Sequence, residues 1–276
     1  MLRAVEPSIV VEIVVVDTEG DRRRDVPIST LGGKGVFAKE VQAAVLDGRA
    51  DIAVHSAKDL PSVTVDGLVL AAVPPRGDPR DALVGSRLSD LRPGALIGTG
   101  SNRRQVQLAH ARPDLAFAGL RGNMHSRVAK ASGFDAIVVA AAALQRLGMA
   151  EHITEILEPA VMVPQVAQGA LAVECRADVG TLRALLAGIE DASSRMCVDA
   201  ERAFLAELGG DCDLPAGAHA TLLPHGLHID AILAASPDTP LVRLARDDTS
   251  PGPLGVGVAR LLRAALEQAS GPDGGL

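Results

Sequence analysis

The fold is decided by residues 95–120, ALIGTGSNRRQVQLAHARPDLAFAGL, which read as a strand, a helix and a second strand. Residues 95–98 and 115–120 are apolar, and residues 102–111 between them carry polar and apolar side chains at helical spacing. Glycines and Ser101 mark the turn from the first strand into the helix. A strand, a helix and a strand in this order form a crossover that places both strands parallel in one sheet. The stretch therefore predicts an α/β fold.

The same alternation extends along the chain in both directions. Helical periodicity and β-branched or apolar runs predict helices at residues 35–47, 123–131 and 142–147, and strands at residues 9–16, 51–55, 68–73, 135–140 and 170–174. Hydrophobic residues make up 47% of the chain, but there are four Phe and no Trp or Tyr, so Ala, Val, Leu and Ile must fill the core. This composition suits a mostly parallel sheet covered by helices.

The length predicts more than one domain, because 276 residues exceed the size at which a single hydrophobic core stops growing. The stiff stretch 74–79, with three prolines, marks a crossing between domains. We predict a first α/β domain from residues 1–73 and 168–190, and a second α/β domain from residues 74–167. Residues 191–276 form a small third α+β domain, with helices at 193–208 and 256–269 and strands at 219–223, 227–234 and 241–246.

Charge and cysteine content restrict the partners and the compartment. The net charge of −7 argues against a nucleic-acid partner, yet residues 99–130 hold six basic residues and one acid, Asp114, which indicates a local anion site. The apolar run 9–16 is too short to cross a bilayer, and the N-terminus has no signal-peptide pattern. Three cysteines without a zinc-binding spacing point to a reducing compartment. We expect a cytoplasmic protein with no membrane partner and no metal.

Arginines follow several strands of the predicted second domain. Free backbone N–H groups at the start of helix 102–111 attract anions, and Arg103 and Arg104 strengthen this attraction. Arg121, Arg127 and Arg146 follow the next two strands, and paired guanidinium donors match carboxylates, so we predict a ligand with several carboxylates. Solvated helix arginines are the alternative. A dinucleotide turn fits poorly, because Arg103 replaces the third glycine of that fingerprint and residues 119–121 supply no acid for a ribose.

Two further segments carry reactive groups. Lys58 and Asp59 follow strand 51–55 directly, and Pro61 prevents helical continuation, so the acid either faces the ligand or is an ordinary turn aspartate. Cys212 lies in a glycine-containing loop that would expose its thiol to an electrophile, although the flanking aspartates would raise its pKa. Cys175 and Cys197 lie in a predicted strand and helix as packing residues.

Several segments together resemble the hydroxymethylbilane synthase (porphobilinogen deaminase) family over nearly the whole chain. They are GGKGVF at 32–37, HSAKDLP at 55–61, RPDL at 112–115, LRGN at 120–123, QGA at 168–170, ECR at 174–176, ER at 201–202 and CDLP at 212–215. The resemblance implies two periplasmic-binding-protein-like (type II) α/β domains plus a small α+β C-terminal domain. It also implies a monomeric transferase of porphyrin and heme biosynthesis, which joins four porphobilinogen molecules head to tail and releases ammonia.

The resemblance also implies site roles. Cys212 would hold a dipyrromethane cofactor through a thioether, and Asp59 would be the catalytic carboxylate, which stabilises positive charge as ammonia leaves. The cofactor-binding residues would further include Lys58, Ser56, Ser101, Arg103 and Arg104. The substrate-binding residues would be Arg121, Arg127, Arg146, Phe37 and Lys34, with residues 32–37 as a loop over the cleft.

The chain also departs from the family pattern. The resemblance implies that it begins after the family's first strand and most of its first helix. We therefore expect residues 2–7 to correspond to the end of that helix, and one arginine and one glutamine ligand to have no counterpart. Ala167 replaces a glycine, which restricts the backbone there. Two alternatives stay open: a truncated or degenerate relative without activity, or a two-domain protein that binds a polycarboxylate without reacting.

Overall fold

The computed structural model describes residues 1–17, 38–209, 214–237 and 239–270. The predicted site residues Lys34, Phe37 and Cys212 lie outside these ranges. Within the described ranges the structure contains strands β1 (Ile52–Ser56), β2 (Leu68–Ala72), β3 (Asp81–Val84), β4 (Leu96–Gly98), β5 (Ala116–Ala118), β6 (Ala136–Ala140), β7 (Glu155–Leu157), β8 (Leu171–Arg176), β9 (Ala216–Leu223), β10 (Gly226–Leu233) and β11 (Val242–Asp248). The helices are α1 (Leu2–Val5), α2 (Lys39–Leu46), α3 (Asn102–Ala111), α4 (Met124–Ala129), α5 (Ala141–Arg146), α6 (Gly180–Ala187), α7 (Ala192–Glu207) and α8 (Pro251–Ser270).

The first sheet has the order β1-β8-β2, with β8 antiparallel to both neighbours. Helix α2 packs on β1 and β8, and α6 packs on β2 and β8. Small and branched side chains such as Ala53, Ala72 and Val173 fill the space between helices and sheet, as the composition predicts. This sheet positions the carboxyl end of β1, where Lys58 and Asp59 follow.

The second sheet has the order β5-β4-β6-β3-β7. Its strands β5, β4 and β6 are parallel, as the crossover at residues 95–120 predicts, whereas β3 is antiparallel to β6 and β7. The expected mostly parallel sheet is therefore a mixed one. The reason is common to both sheets: β3 and β8 each follow a segment that arrives from the other sheet, so each enters in the opposite direction.

The third sheet, β9 to β11, is an antiparallel meander covered by α7 and α8. Phe204, Ile229 and Leu254 form part of its core. The two helices touch at Gly255, where a Cβ atom would overlap the Ala200 carbonyl oxygen. Together with the two α/β sheets, this helix-covered meander confirms the expected fold class.

The predicted strand at residues 9–16 is wrong. The segment is neither strand nor helix, and Val10, Ile13 and Val15 are more than four-fifths exposed. β-Branched residues form a strand only where a neighbouring strand supplies ladder partners, and in the described ranges no strand pairs with this segment. By contrast, α1 does form at Leu2–Val5, and Leu2 packs on the apolar cluster beneath α6.

No helix among the described residues is both long enough and apolar enough to span a membrane.

Candidate functional site

Lys58 and Asp59 lie on a single 3-10 turn, Ala57–Asp59, directly after β1. Pro61 stops this turn from continuing as a helix. Asp59 is exposed, yet desolvation by the protein atoms around its carboxyl raises the pKa of that group. The charges of Lys58, Arg127 and His55 act in the opposite direction. Asp59 is thus a solvent-accessible carboxylate surrounded by cationic groups.

Lys58 is held by Gln168, which lies in the segment that returns from β7 to β8. Its Nζ donates a hydrogen bond to Gln168 Oε1 at 3.3 Å. Burial lowers the pKa of Lys58 to about 8, although Asp59 and Asp81 favour its charged form. Its ammonium group is therefore close to neutralisation at mildly basic pH.

Arg103 and Arg104, at the start of α3, share one buried counter-ion, Asp81. Arg104 Nε and Nη2 donate to Asp81 Oδ1 at 3.0 and 2.8 Å, and Arg103 Nη2 lies 2.8 Å from Asp81 Oδ2. The two guanidinium groups help to hold the pKa of Asp81 at about 2 despite its complete burial. The sequence predicted both arginines as groups facing an anionic ligand, and it did not reveal this internal partner because β3 was not predicted.

Arg103 retains unused donor capacity. Its Nη1 donates to the Val163 carbonyl at 2.6 Å, but its Nε is buried and meets no hydrogen-bond acceptor within the described ranges. A buried unpaired donor is costly unless a ligand or water satisfies it. Ser101, at the N-cap of α3, is half-buried, and its side chain makes no capping hydrogen bond.

Arg127, on helix α4, is the arginine whose charge acts on Asp59. Asn123 caps α4, as predicted, because its side chain accepts a hydrogen bond from the Ser126 amide at 2.9 Å. Arg127 Nε donates to the Gly122 carbonyl at 2.8 Å. Burial lowers the pKa of Arg127, and the charges of Arg104 and Arg121 lower it further. The charge of Asp59 raises it.

Arg146 takes a different position from the other predicted arginines. Its Nη2 donates to the Gly169 carbonyl at 2.5 Å, and Gly169 also accepts the Gly77 amide at 3.0 Å. A Cβ atom at Gly169 would lie 2.7 Å from the Gly77 carbonyl oxygen, so the two crossing segments touch here. Arg146 therefore braces the crossing in this structure, whereas Lys58 and Arg127 act on Asp59, and Arg104 and Arg121 act on Arg127.

The crossing at residues 74–79 takes part in a second interaction that sequence reasoning missed. Arg76 Nη1 and Nη2 donate to the two carboxylate oxygens of Glu201 at 2.7 and 3.0 Å. Glu201 is fully buried and also accepts the amides of Ala167 and Ala220 at 2.6 and 2.8 Å. The motif at 201–202 was the available signal, but it gave no indication of the partner.

In the part of the chain that the structure covers, no group of three or more His, Cys, Asp or Glu residues could hold a metal ion. Cys175 and Cys197 are buried in β8 and α7, and burial raises the pKa of Cys197 to about 11.

Comparison with known proteins gives consistent matches over most of the chain. A family model described as the dipyromethane cofactor binding domain of porphobilinogen deaminase matches residues 1–184, and a model of the C-terminal domain of porphobilinogen deaminase matches residues 195–261. The porphobilinogen deaminase of Acidothermus cellulolyticus is 44% identical over 270 residues, covering 94% of this chain and 82% of that protein. The protein of the same name from Chromobacterium violaceum is 48% identical over 249 residues, covering 88% and 80%.

Among solved structures, a TRAP periplasmic solute binding protein from Desulfovibrio salexigens is 14% identical and covers 66% of this chain and 70% of that one. Its TM-score is 0.33, which is too low to support a functional argument.

Proposed function

Because this chain belongs to the porphobilinogen deaminase family, we propose that it is a hydroxymethylbilane synthase of porphyrin and heme biosynthesis. This transferase joins four porphobilinogen molecules head to tail and releases one ammonia for each. The proposal rests on Asp59, an accessible carboxylate with a raised pKa. The charges of Lys58, from the first sheet, and of Arg127, from the second, act on it. Simple capture of a polycarboxylate would need the cations but not an acid among them.

The dipyrromethane cofactor of the family fits the donor set around Asp59. This group carries four carboxylates and two pyrrole N–H donors. Lys58 and the arginines are donors without acceptor capacity, which suits carboxylates, and Arg103 has a buried Nε still to be satisfied. Asp59 is the complementary acceptor for pyrrole N–H groups.

We assign the site residues as follows. Cofactor-binding residues are Cys212, through a thioether, with Lys58, Ser56, Ser101, Arg103 and Arg104. Substrate-binding residues are Arg121, Arg127, Arg146, Phe37 and Lys34. Asp59 is the catalytic residue.

When bound, the cofactor supplies the nucleophilic pyrrole carbon to which the first substrate is joined. Asp59 provides a fixed negative charge beside the cation that forms as ammonia leaves the substrate, and such a charge is worth more in a cleft than in water. Arg121 and Arg127 bind substrate carboxylates and orient the reacting ring. Orientation by bidentate donors lowers the entropy cost of bringing the two rings together.

One chain contains every assigned residue, so we propose a monomer as the catalytic unit, located in the cytoplasm. The proposed domains are residues 1–73 with 168–190, residues 74–167, and residues 191–276. The two sheets that position Lys58 and Arg127, and the helix-covered meander after residue 191, support this division. The chain's partner is the small-molecule substrate porphobilinogen, and we propose neither a nucleic-acid nor a membrane partner.

Replacement of Asp59 by Asn tests the proposal. We expect ammonia release from porphobilinogen to fall at least about 100-fold, because the charge beside the developing cation is lost. Asp66→Asn, at an exposed turn nearby, should retain activity within about twofold. In the unaltered chain, the acid-side midpoint of turnover should lie above the ordinary aspartate range, because the pKa of Asp59 is raised. Equal activity of Asp59→Asn and Asp66→Asn would show that Asp59 is not the catalytic residue. No ammonia release by the folded, unaltered chain would favour a binding protein or a degenerate relative.

A further inference from the structure

Gln168 lies between a cation of the first sheet and an anion of the second. The side chain is fully buried, and it belongs to the segment that returns from β7 to β8. Its Oε1 accepts the Lys58 ammonium at 3.3 Å. Its Nε2 donates to Asp81 Oδ1 at 3.0 Å and to the Pro79 carbonyl at 2.7 Å. The backbone carbonyl of Gln168 accepts Arg76 Nε at 2.9 Å, which fixes the main chain as well.

The chemistry of the two partners determines the orientation of this amide. Lys58 can only donate, and ionised Asp81 can only accept, so the oxygen must face Lys58 and the nitrogen must face Asp81. A carboxylate at this position would repel Asp81, and an apolar side chain would leave buried polar groups unsatisfied. An amide is the side-chain type that satisfies both neighbours.

Within the described ranges, the side-chain oxygen of Gln168 is the hydrogen-bond acceptor of the Lys58 ammonium group. The charged groups that act on Lys58 are Asp59 and Asp81, which favour its ammonium form, and Arg103 and Arg104, which oppose it. Lys58 is in turn the first of the charges that favour the ionised form of Asp59.

We propose that Gln168 is a positioning residue. Its amide links Lys58 to Asp81, the counter-ion of Arg103 and Arg104. It thereby stabilises the ammonium form of Lys58 beside Asp59. The proposal rests on the proposed roles of Lys58 and Asp59, but it concerns contacts within the cofactor-free chain. Its test therefore does not depend on turnover.

The test is a titration of Lys58 by NMR in cofactor-free protein labelled at lysine Cε. The chain has four lysines, Lys34, Lys39, Lys58 and Lys130, and Lys58→Arg identifies the Lys58 signal by its loss. In the unaltered chain we expect a midpoint of about 8. Gln168→Leu should lower the midpoint, because the acceptor that stabilises the ammonium group is removed. Gln168→Glu should raise it by about one unit or more, because a carboxylate replaces that acceptor.

Gln42→Leu is the matched control. Gln42 is also a buried amide that donates to a buried carboxylate, Glu174 at 2.8 Å, but it does not contact Lys58. Its loss should leave the Lys58 midpoint unchanged. Midpoints that stay at the unaltered value in both folded Gln168 variants would overturn the proposal, as would an equal shift in Gln42→Leu.

A second measurement decides the question if the Gln168 variants fail to fold. In the unaltered chain, the side-chain amide resonances of Gln168 should titrate with the same midpoint as Lys58, and those of Gln42 should not. Gln168 resonances that are constant through the Lys58 transition would contradict the proposal. In the cofactor-loaded enzyme, a folded Gln168→Glu variant should show the same direction of shift in the basic limb of its pH profile for turnover.

Discussion

Asp59 and Asp81 are both surrounded by protein atoms, but their surroundings move their pKa values in opposite directions. Asp81 is paired with two guanidinium groups and a buried amide, which lower its pKa to about 2. The Asp59 carboxylate has no hydrogen-bond partner within the described ranges, and desolvation raises its pKa. One carboxylate is therefore a structural anion, and the other is available to a ligand. Two acids with pKa values displaced in opposite directions are typical of a catalytic site.

Asp81→Asn should destabilise the protein by about 3–5 kcal/mol, because Arg103 and Arg104 would become buried charges without a counter-ion. Asp114→Asn is the control, since Asp114 forms a similar pair with Arg112 at the surface and should cost less than about 1 kcal/mol. Urea denaturation measures both free energies of unfolding. Comparable losses in the two variants would show that the buried pairing is not the stabilising feature.

The same carboxylate predicts a dependence of stability on pH. The folded-state pKa of Asp81 is about 2, below its ordinary 3.8, so its contribution is present above pH 3.8 and is lost as the pH falls toward 2. Between pH 6 and pH 3 the unaltered chain should lose about 1 kcal/mol more than Asp81→Asn. Urea denaturation of the two proteins at each pH measures this difference. Parallel losses would indicate that Asp81 is not ionised in the folded state at pH 3.

Local patterns predicted most of the helices and strands. Helix α3 begins and ends where its periodicity predicts, and the Asn123 cap was recognised from its residue type. Strands β3 and β7 were missed because they obtain their stability from neighbours distant in sequence. Helix α8 begins at Pro251, before the predicted start at 256, because proline is favourable in the first turn of a helix.

Ala167 is the non-glycine residue of the described ranges with a positive φ, 58°. Left-handed backbone is costly for alanine, so Ala167→Gly should stabilise the protein by about 1 kcal/mol. Ala170→Gly, three residues later and without a positive φ, should destabilise it by a similar amount. Urea denaturation of both variants measures the two changes. A loss of stability in Ala167→Gly would show that the left-handed conformation carries no strain.

The site depends on contacts between segments that are far apart in sequence. The sequence placed Lys58, Asp59 and the arginines after their strands, which was sufficient to predict an anion site. It could not reveal Gln168 between Lys58 and Asp81, or Glu201 beneath Arg76, because each pair is separated by many residues. It also could not show that Arg146 binds the Gly169 carbonyl, since that contact forms only when the crossing segments meet.

The most direct test of the central claim is the intact mass of the folded chain before and after incubation with porphobilinogen. We predict a covalent adduct, with further mass steps as substrate units add, that is absent in Cys212→Ser. Cys197→Ser should keep the adduct, because the Cys197 thiol is buried and its pKa is raised to about 11. A folded chain without an adduct, or an adduct that persists in Cys212→Ser, would contradict the assignment of this protein as a hydroxymethylbilane synthase with its cofactor on Cys212.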